Sequence, residues 1–199
     1  MNGLALPREA IRLGQDWTSI DALELVLRHV LTLGFLVLVI AAYVTRAGAV
    51  ARAQGFWERV FPLLVPFATF AGLWMVERLG GTQRVDLGVV GLLLTLIGFS
   101  VSLWALWYLR RSFGIMAEAR LPVTSGPYRY VRHPLYLGEG LSMLGLCLTT
   151  GTATALIFWV LWTAMQLVRA SIEERKLARH FDEYRAYREC TRFIIPGLY

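Results

Sequence analysis

Lysine is nearly missing from this chain. Of its 20 basic residues only Lys176 is one, and cysteine occurs just twice in 199 residues, at Cys147 and Cys190. The two thiols form no Cys-x-x-Cys pair and share no metal-ligand spacing with the three histidines, so a disulfide framework and a zinc site are both excluded, and no metal is expected. Charge is equally scarce, at 17% of residues against 56% hydrophobic, too little for a soluble domain of this size. No Gly-x-Gly-x-x-Gly follows a strand-like run, and no alternating strand pattern occurs at all, which removes the Rossmann fold. The formal net charge of +6 comes from residues scattered between apolar runs and not from one basic stripe, so nucleic acid is not an expected partner. The first 22 residues hold five charged groups and no apolar core, unlike a cleaved signal peptide.

What is present is a succession of long apolar runs, read as a single all-α, polytopic domain with about five transmembrane helices. Residues 1–18 form a lead, 19–170 the membrane helices, and 171–199 a cytoplasmic tail. Thr18-Ser19-Ile20-Asp21 has the form of a capping box, so the first helix starts near Ser19 and runs to about Thr45. His29 on it reads as an interfacial or packed polar group. The second span, about Phe56 to Val76, contains Pro62 and Pro66 and should kink unless Pro62 lies in its first turns. After the tight Gly80-Gly81 link, Leu87 to Leu109 is a clean uncharged span ending in Trp104, Trp107 and Tyr108, either an interfacial belt or a pocket wall. The fourth helix, Pro134 to about Thr149, rises only about 24 Å, and a turn at 149–154 leads to the fifth. From about Ala155 that helix continues without Gly or Pro from an apolar section into the charged stretch 169–189, so one long helix is expected.

With the N-terminus outside, the cytoplasmic segments hold Arg46, Arg52, Arg59, Arg110, Arg111, Arg120, Arg129, Arg132, Arg169, Arg175, Lys176, Arg179, Arg185, Arg188 and Arg192. These fifteen of twenty basic residues set the orientation. They also place the 110–133 loop and the tail on the same face.

The densest polar string, Gly126-Pro127-Tyr128-Arg129-Tyr130-Val131-Arg132-His133-Pro134-Leu135-Tyr136-Leu137-Gly138, sits where that loop gives way to a helix. Gly-Pro marks a turn and Pro134 suits a first helical turn, so Arg132 and His133 stand at a helix mouth. Downstream, Glu173-Glu174 follows the fifth span, with Leu177, Phe181 and Tyr184 at i+4, i+8 and i+11 from Glu173 on one face of the expected helix. A carboxylate pair beside aliphatic and aromatic groups suits a ligand carrying an ammonium, ribose hydroxyls and a flat base. Ion pairs such as Arg169 with Glu173 are the simpler use of the same residues. Gly138-x-Gly140 marks close helix packing more often than a ligand site.

Gly-Pro-Tyr, then Arg-His-Pro-x-Tyr-x-Gly, followed by Glu173-Glu174, the aromatic tail helix and Ile195-Pro196, resembles the isoprenylcysteine carboxyl methyltransferase family of integral membrane enzymes over roughly the last 90 residues. The resemblance implies S-adenosylmethionine as cofactor, with Tyr128, His133, Pro134 and Tyr136 from the motif and Glu173, Glu174 and Leu177 from the tail forming its pocket. It also implies a lipophilic or small acceptor in the bilayer; compact relatives occur in bacteria and archaea, so a prokaryotic cell membrane is expected. A carboxylate acceptor, favoured here, is already ionised and needs an orienting cation, for which Arg129, Arg132, Arg185 and Arg188 are candidates. An amine or thiol acceptor needs a base, and His133 or Glu139 is the nearest. Glu139 lies early in an apolar helix, where a carboxylate is costly unless it faces a polar cavity or partner, or snorkels to the interface. Arg-His-Pro-x-Tyr also occurs in membrane sterol and steroid reductases, so an NADPH-dependent reductase is the alternative, and a non-catalytic scaffold the third reading.

Overall fold

The computed structural model describes residues 20–79, 87–114 and 116–195. The expected lead at 1–17, Thr18 and Ser19 of the capping box, the His29 side chain, the Gly80-Gly81 link and residues 196–199 lie outside what is described. Among the described residues every regular element is helical, and only two isolated main-chain bridges occur.

Helix α1 spans Ile20–Val44, α2 Gly55–Arg59, α3 Phe61–Leu79, α4 Gly88–Leu109, α5 Pro134–Thr150, α6 Ala153–His180 and α7 Asp182–Cys190. Two of these, α4 and α6, are long and apolar enough to cross a membrane. Their outer faces are apolar: Val89, Ile97, Ile157 and Leu161 are all more than half exposed, a surface suited to lipid and ill suited to water. The apolar part of α3, Phe61–Val76, is shorter.

The second expected span is divided. Helix α2 ends at Val60, whose N–H closes on the Phe56 carbonyl, and the chain restarts at Phe61. Pro62 is thereby placed in a first turn, where a missing N–H costs nothing, and Pro66 alone is interior to the helix.

Helices α4 and α5 form the tightest pair, and small residues make it possible. Gly91, Thr95, Gly98 and Ser102 on α4 recur at helical spacing and face Gly138, Ser142 and Gly145 on α5. A Cβ on Gly91 would lie 2.6 Å from the Gly145 carbonyl, and one on Gly98 2.6 Å from the Gly138 carbonyl. Backbone therefore packs on backbone. Gly138 belongs to this seam, whereas a Cβ on Gly140 would meet nothing within 4 Å, so the two glycines of the Gly-x-Gly differ in purpose.

Helix α5 stops at Gly151, whose φ of +65° only glycine adopts without strain. Thr152 then caps α6 by accepting from the Ala155 N–H at 3.3 Å. Helix α6 does not run on to residue 189 as expected: Phe181 is extended, with φ −135° and ψ 112°, and α7 begins after it. Local chemistry explains the break. Arg179 and His180 end α6, while Asp182 and Glu183 open α7, each charge complementing its helix terminus. Arg185 Nε donates to the otherwise orphaned Ala178 carbonyl at 2.6 Å. Trp104, Trp107 and Tyr108 are exposed at the end of α4.

Candidate functional site

The loop before α5 is set by one glycine. Gly126 has φ +61°, and a Cβ there would fall 2.6 Å from the Tyr108 ring, so only glycine lets the turn Gly126–Arg129 lie flat on α4. Beyond the turn, Val131 bridges Arg192 in parallel. The N–H groups of Arg132 and His133 donate to the Arg192 and Phe193 carbonyls at 2.8 and 3.2 Å. The chain's last described residues are thus stitched to the motif, and fully buried Pro134 starts α5 directly afterwards.

Across from the motif stands α6 with its two glutamates, and they are used differently. Glu174 is buried and enclosed by nitrogen groups: Arg132 Nε donates to its Oε1 at 2.5 Å, His133 Nε2 lies 3.2 Å from the same oxygen, and Arg188 Nε is 3.4 Å from Oε2. Burial alone would raise this carboxyl, but the hydrogen bond from His133 and the charge and hydrogen bond of Arg132 more than offset it and hold it below the ordinary carboxylate range. Glu173 is more open. It accepts the Tyr136 hydroxyl at 2.5 Å and Arg169 Nε at 3.2 Å, and Arg169 also lies over the Tyr136 ring.

These residues wall a narrow, partly open cleft of about 110 Å³, smaller than the roughly 300–1,000 Å³ of most small-molecule sites. Tyr128, Arg132, His133, Tyr136, Glu173 and Leu177 line it, as do Tyr184 and Tyr187 of α7. The Tyr187 hydroxyl donates to the Tyr128 carbonyl, which brings the tail helix down over the motif. Burial pushes the Tyr187 phenol up to about 12 and raises the Tyr128 and Tyr184 phenols as well, so all three are protonated at neutral pH. The far wall is the loop 112–123, contributing Phe113, Gly114, Glu118 and Arg120. That loop is braced from behind: the Ala119 N–H donates to Ala51 at 2.9 Å and the Ala117 N–H to Glu58 at 3.0 Å. Lys176 of α6 in turn binds Glu58 and the Arg52 carbonyl. Glu58, which burial would raise, is brought below its ordinary value by the Lys176 hydrogen bond and the Gln54 N–H.

Of the residues singled out from sequence, Tyr128, Arg132, His133, Tyr136, Glu173 and Leu177 therefore meet in one cleft. Glu174 and Pro134 stand behind its wall, holding the motif without lining it. Glu139 points elsewhere, toward α6, where it accepts from Gln166 Nε2 at 2.6 Å. Arg129 is exposed beside the Tyr130 ring, and Arg185 pairs with Asp182 at 3.0 Å on the surface. Phe181, at the helix break, is not among the lining residues, whereas Tyr184 reaches the cleft because the break redirects the chain. Sequence reading passed over Glu118, Arg120 and Gly114. Their one signal was membership of the longest polar segment between spans. Among the described residues no group of three or more His, Cys, Asp or Glu is arranged to hold a metal.

The chain is similar to known proteins over the segment that carries this site. The family model for phospholipid methyltransferases matches residues 87–184, from the start of α4 to Tyr184. The cobalt-zinc-cadmium resistance protein CzcN of Cupriavidus metallidurans is 30% identical over 150 residues, which are 72% of this chain and 63% of that protein. The chain thus spans less than two thirds of the length of the curated relative it matches. The matched segment contains the small-residue seam, the motif, both glutamates and the break at Phe181, and over it the chain is similar to the phospholipid methyltransferases.

Proposed function

We propose that the chain is an S-adenosylmethionine-dependent methyltransferase acting in the membrane on a lipophilic or small acceptor, with a carboxylate the favoured nucleophile. The observation that carries this reading is the convergence of two motifs, 37 residues apart at Tyr136 and Glu173, onto one carboxylate–phenol contact in an aromatic cleft. The donor set fits such a cofactor: Glu173 offers a partly open carboxylate for an ammonium or ribose hydroxyl, and the rings of Tyr136, Tyr184 and Tyr187 offer faces for a base or a sulfonium. When bound, the cofactor supplies an electrophilic methyl group that passes in line to the acceptor as charge is neutralised. The protein's work is accordingly to align and to exclude water. Tyr136 and Arg169 fix Glu173 from two sides. Glu174 acts one layer back, locking Arg132 and His133 so that the cleft wall keeps its shape. The proposed topology has five spans, the N-terminus outside, and the cleft on the cytoplasmic side. Acceptors reach it through the apolar groove between α1 and α4, lined by Leu38, Ala42, Leu106 and Trp107.

Titration calorimetry of the detergent-purified chain with S-adenosylhomocysteine, and separately with NADPH, tests the cofactor. Binding of S-adenosylhomocysteine that Glu173→Gln weakens at least tenfold is the expected result; binding of NADPH alone overturns it in favour of a reductase. The topology has its own test in Cys190, which is exposed while Cys147 is buried. An impermeant maleimide should label Cys190 in inside-out vesicles and spare it in right-side-out ones.

A further inference from the structure

One side chain in the cleft is left with unmet hydrogen-bonding capacity. Arg120 is 6% exposed and lines the cleft from the loop 112–123. Its Nη2 donates to Glu118 Oε2 at 2.6 Å, but its Nε and Nη1 have no partner. A buried guanidinium with two of its three nitrogens unsatisfied is costly, and such groups are rare enough in folded proteins to need a reason. Fold assembly does not supply one: the loop is pinned by the main chain of Ala117 and Ala119, and those bonds make no use of the Arg120 side chain. Space has been kept beside the unsatisfied edge. Residue 114 is glycine, and a Cβ there would stand 3.4 Å from Arg120 Nε and 3.9 Å from Glu118 Oε2, where it would crowd whatever approaches.

We infer that Arg120 is a ligand-binding residue that receives a carboxylate in the cleft, with Glu118 holding the guanidinium in place and Gly114 leaving room for the incoming oxygens. The inference rests on the reading of this cleft as the methyl-transfer site, and it adds an anion subsite on the wall facing Glu173. A planar, permanently charged fork suits a carboxylate better than a neutral group. Two sources present that chemistry: the amino-acid end of the cofactor and a lipophilic acid acting as acceptor.

The test compares carboxylate-bearing probes with counterparts lacking only that group, on the full-length chain in detergent. The first pair is S-adenosylhomocysteine and its decarboxylated analogue; the second is a long-chain fatty acid and the matching fatty alcohol. Affinities are measured for the wild type, Arg120→Ala and Arg120→Lys, and the readout is the affinity ratio within each pair, which a general loosening of the cleft leaves unchanged. Wild type should prefer the carboxylate member of one pair by at least tenfold. Arg120→Ala should bring that ratio to near one, and Arg120→Lys should restore part of it. A collapse in the first pair identifies the cofactor as the source, and in the second the acceptor. Wild-type ratios near one in both pairs, or ratios that Arg120→Ala leaves intact, overturn the inference. Should S-adenosylhomocysteine fail to bind the wild type, the cofactor reading falls, while the fatty acid pair still decides the role of Arg120.

Discussion

The α4–α5 seam and the junction of motif with tail hold the same helix, α5, at different points and by opposite means. In the seam, residues such as Gly98 and Gly138 or Gly91 and Gly145 meet through glycine and small hydroxyl side chains, with backbone against backbone and no charge. At the junction, residues 41 to 59 positions apart meet through buried ions: Arg132 alone reaches Glu174 and the carbonyls of Arg188 and Thr191. The first kind of contact tolerates no added atom, and the second tolerates no lost charge. A rigid base and an ionically latched cover are what a cleft needs if it is to be built in lipid and closed at the water's edge.

The comparison can be broken most severely at the seam. Gly98→Leu would drive its side chain into the Gly138 carbonyl, which stands 2.6 Å from the Cβ position. Neither backbone can yield, so a loss of about 3 kcal/mol or more is expected, seen as a large drop in thermal stability in detergent. At the junction, Glu174→Gln keeps the shape and removes the charge. Local stability should fall by about 2–3 kcal/mol, read as faster proteolysis within 181–195 while α4 and α5 stay protected.

Acid should act on the same latch reversibly. The folded Glu174 carboxyl lies below its unfolded value of about 4.5. Its stabilising contribution is therefore complete above that value and is lost as pH falls through the folded one. Amide-exchange protection of residues 181–195 should thus be full near pH 6.5 and diminished near about pH 3.5, with the seam unaffected. The smallest effect has the opposite sign. Gly140→Ala adds a methyl where nothing lies within 4 Å and removes a flexible residue from a helix interior, so a gain of about 0.5–1 kcal/mol is expected. Failure of Gly98 and Gly140 to differ would mean that the seam is looser than its distances state.

What the sequence made legible follows the range of the interactions concerned. Helix α4 was readable to within a residue because an uncharged run bounded by Asp86 and Arg110 needs no distant information. The start of α5 was readable from Pro134 for the same reason, whereas the meeting of the motif with Glu173 and Glu174 was implied by the family resemblance and not by the residues alone. The break at Phe181 was not. No Gly or Pro marks it, and its causes, Arg185 on the Ala178 carbonyl and burial of Tyr184, exist only once α7 has docked. Val60 hid in the same way, although Pro62 two residues later was a hint. Arg120 and Glu118 lay in a segment without periodicity, where sequence shows charge and not direction. Glu139 was recognised as anomalous, but its partner Gln166 stands 27 residues on and carried no signal of its own.

The buried contact of Lys176 with Glu58 and Arg52 has a practical corollary. It holds the only side-chain amine in the chain, on a residue that is 5% exposed. Amine-directed acylation of side chains therefore becomes a single-site clock. The label arrives only when the segment around α2 separates from α6, and its rate counts the openings of the brace behind the Arg120 loop.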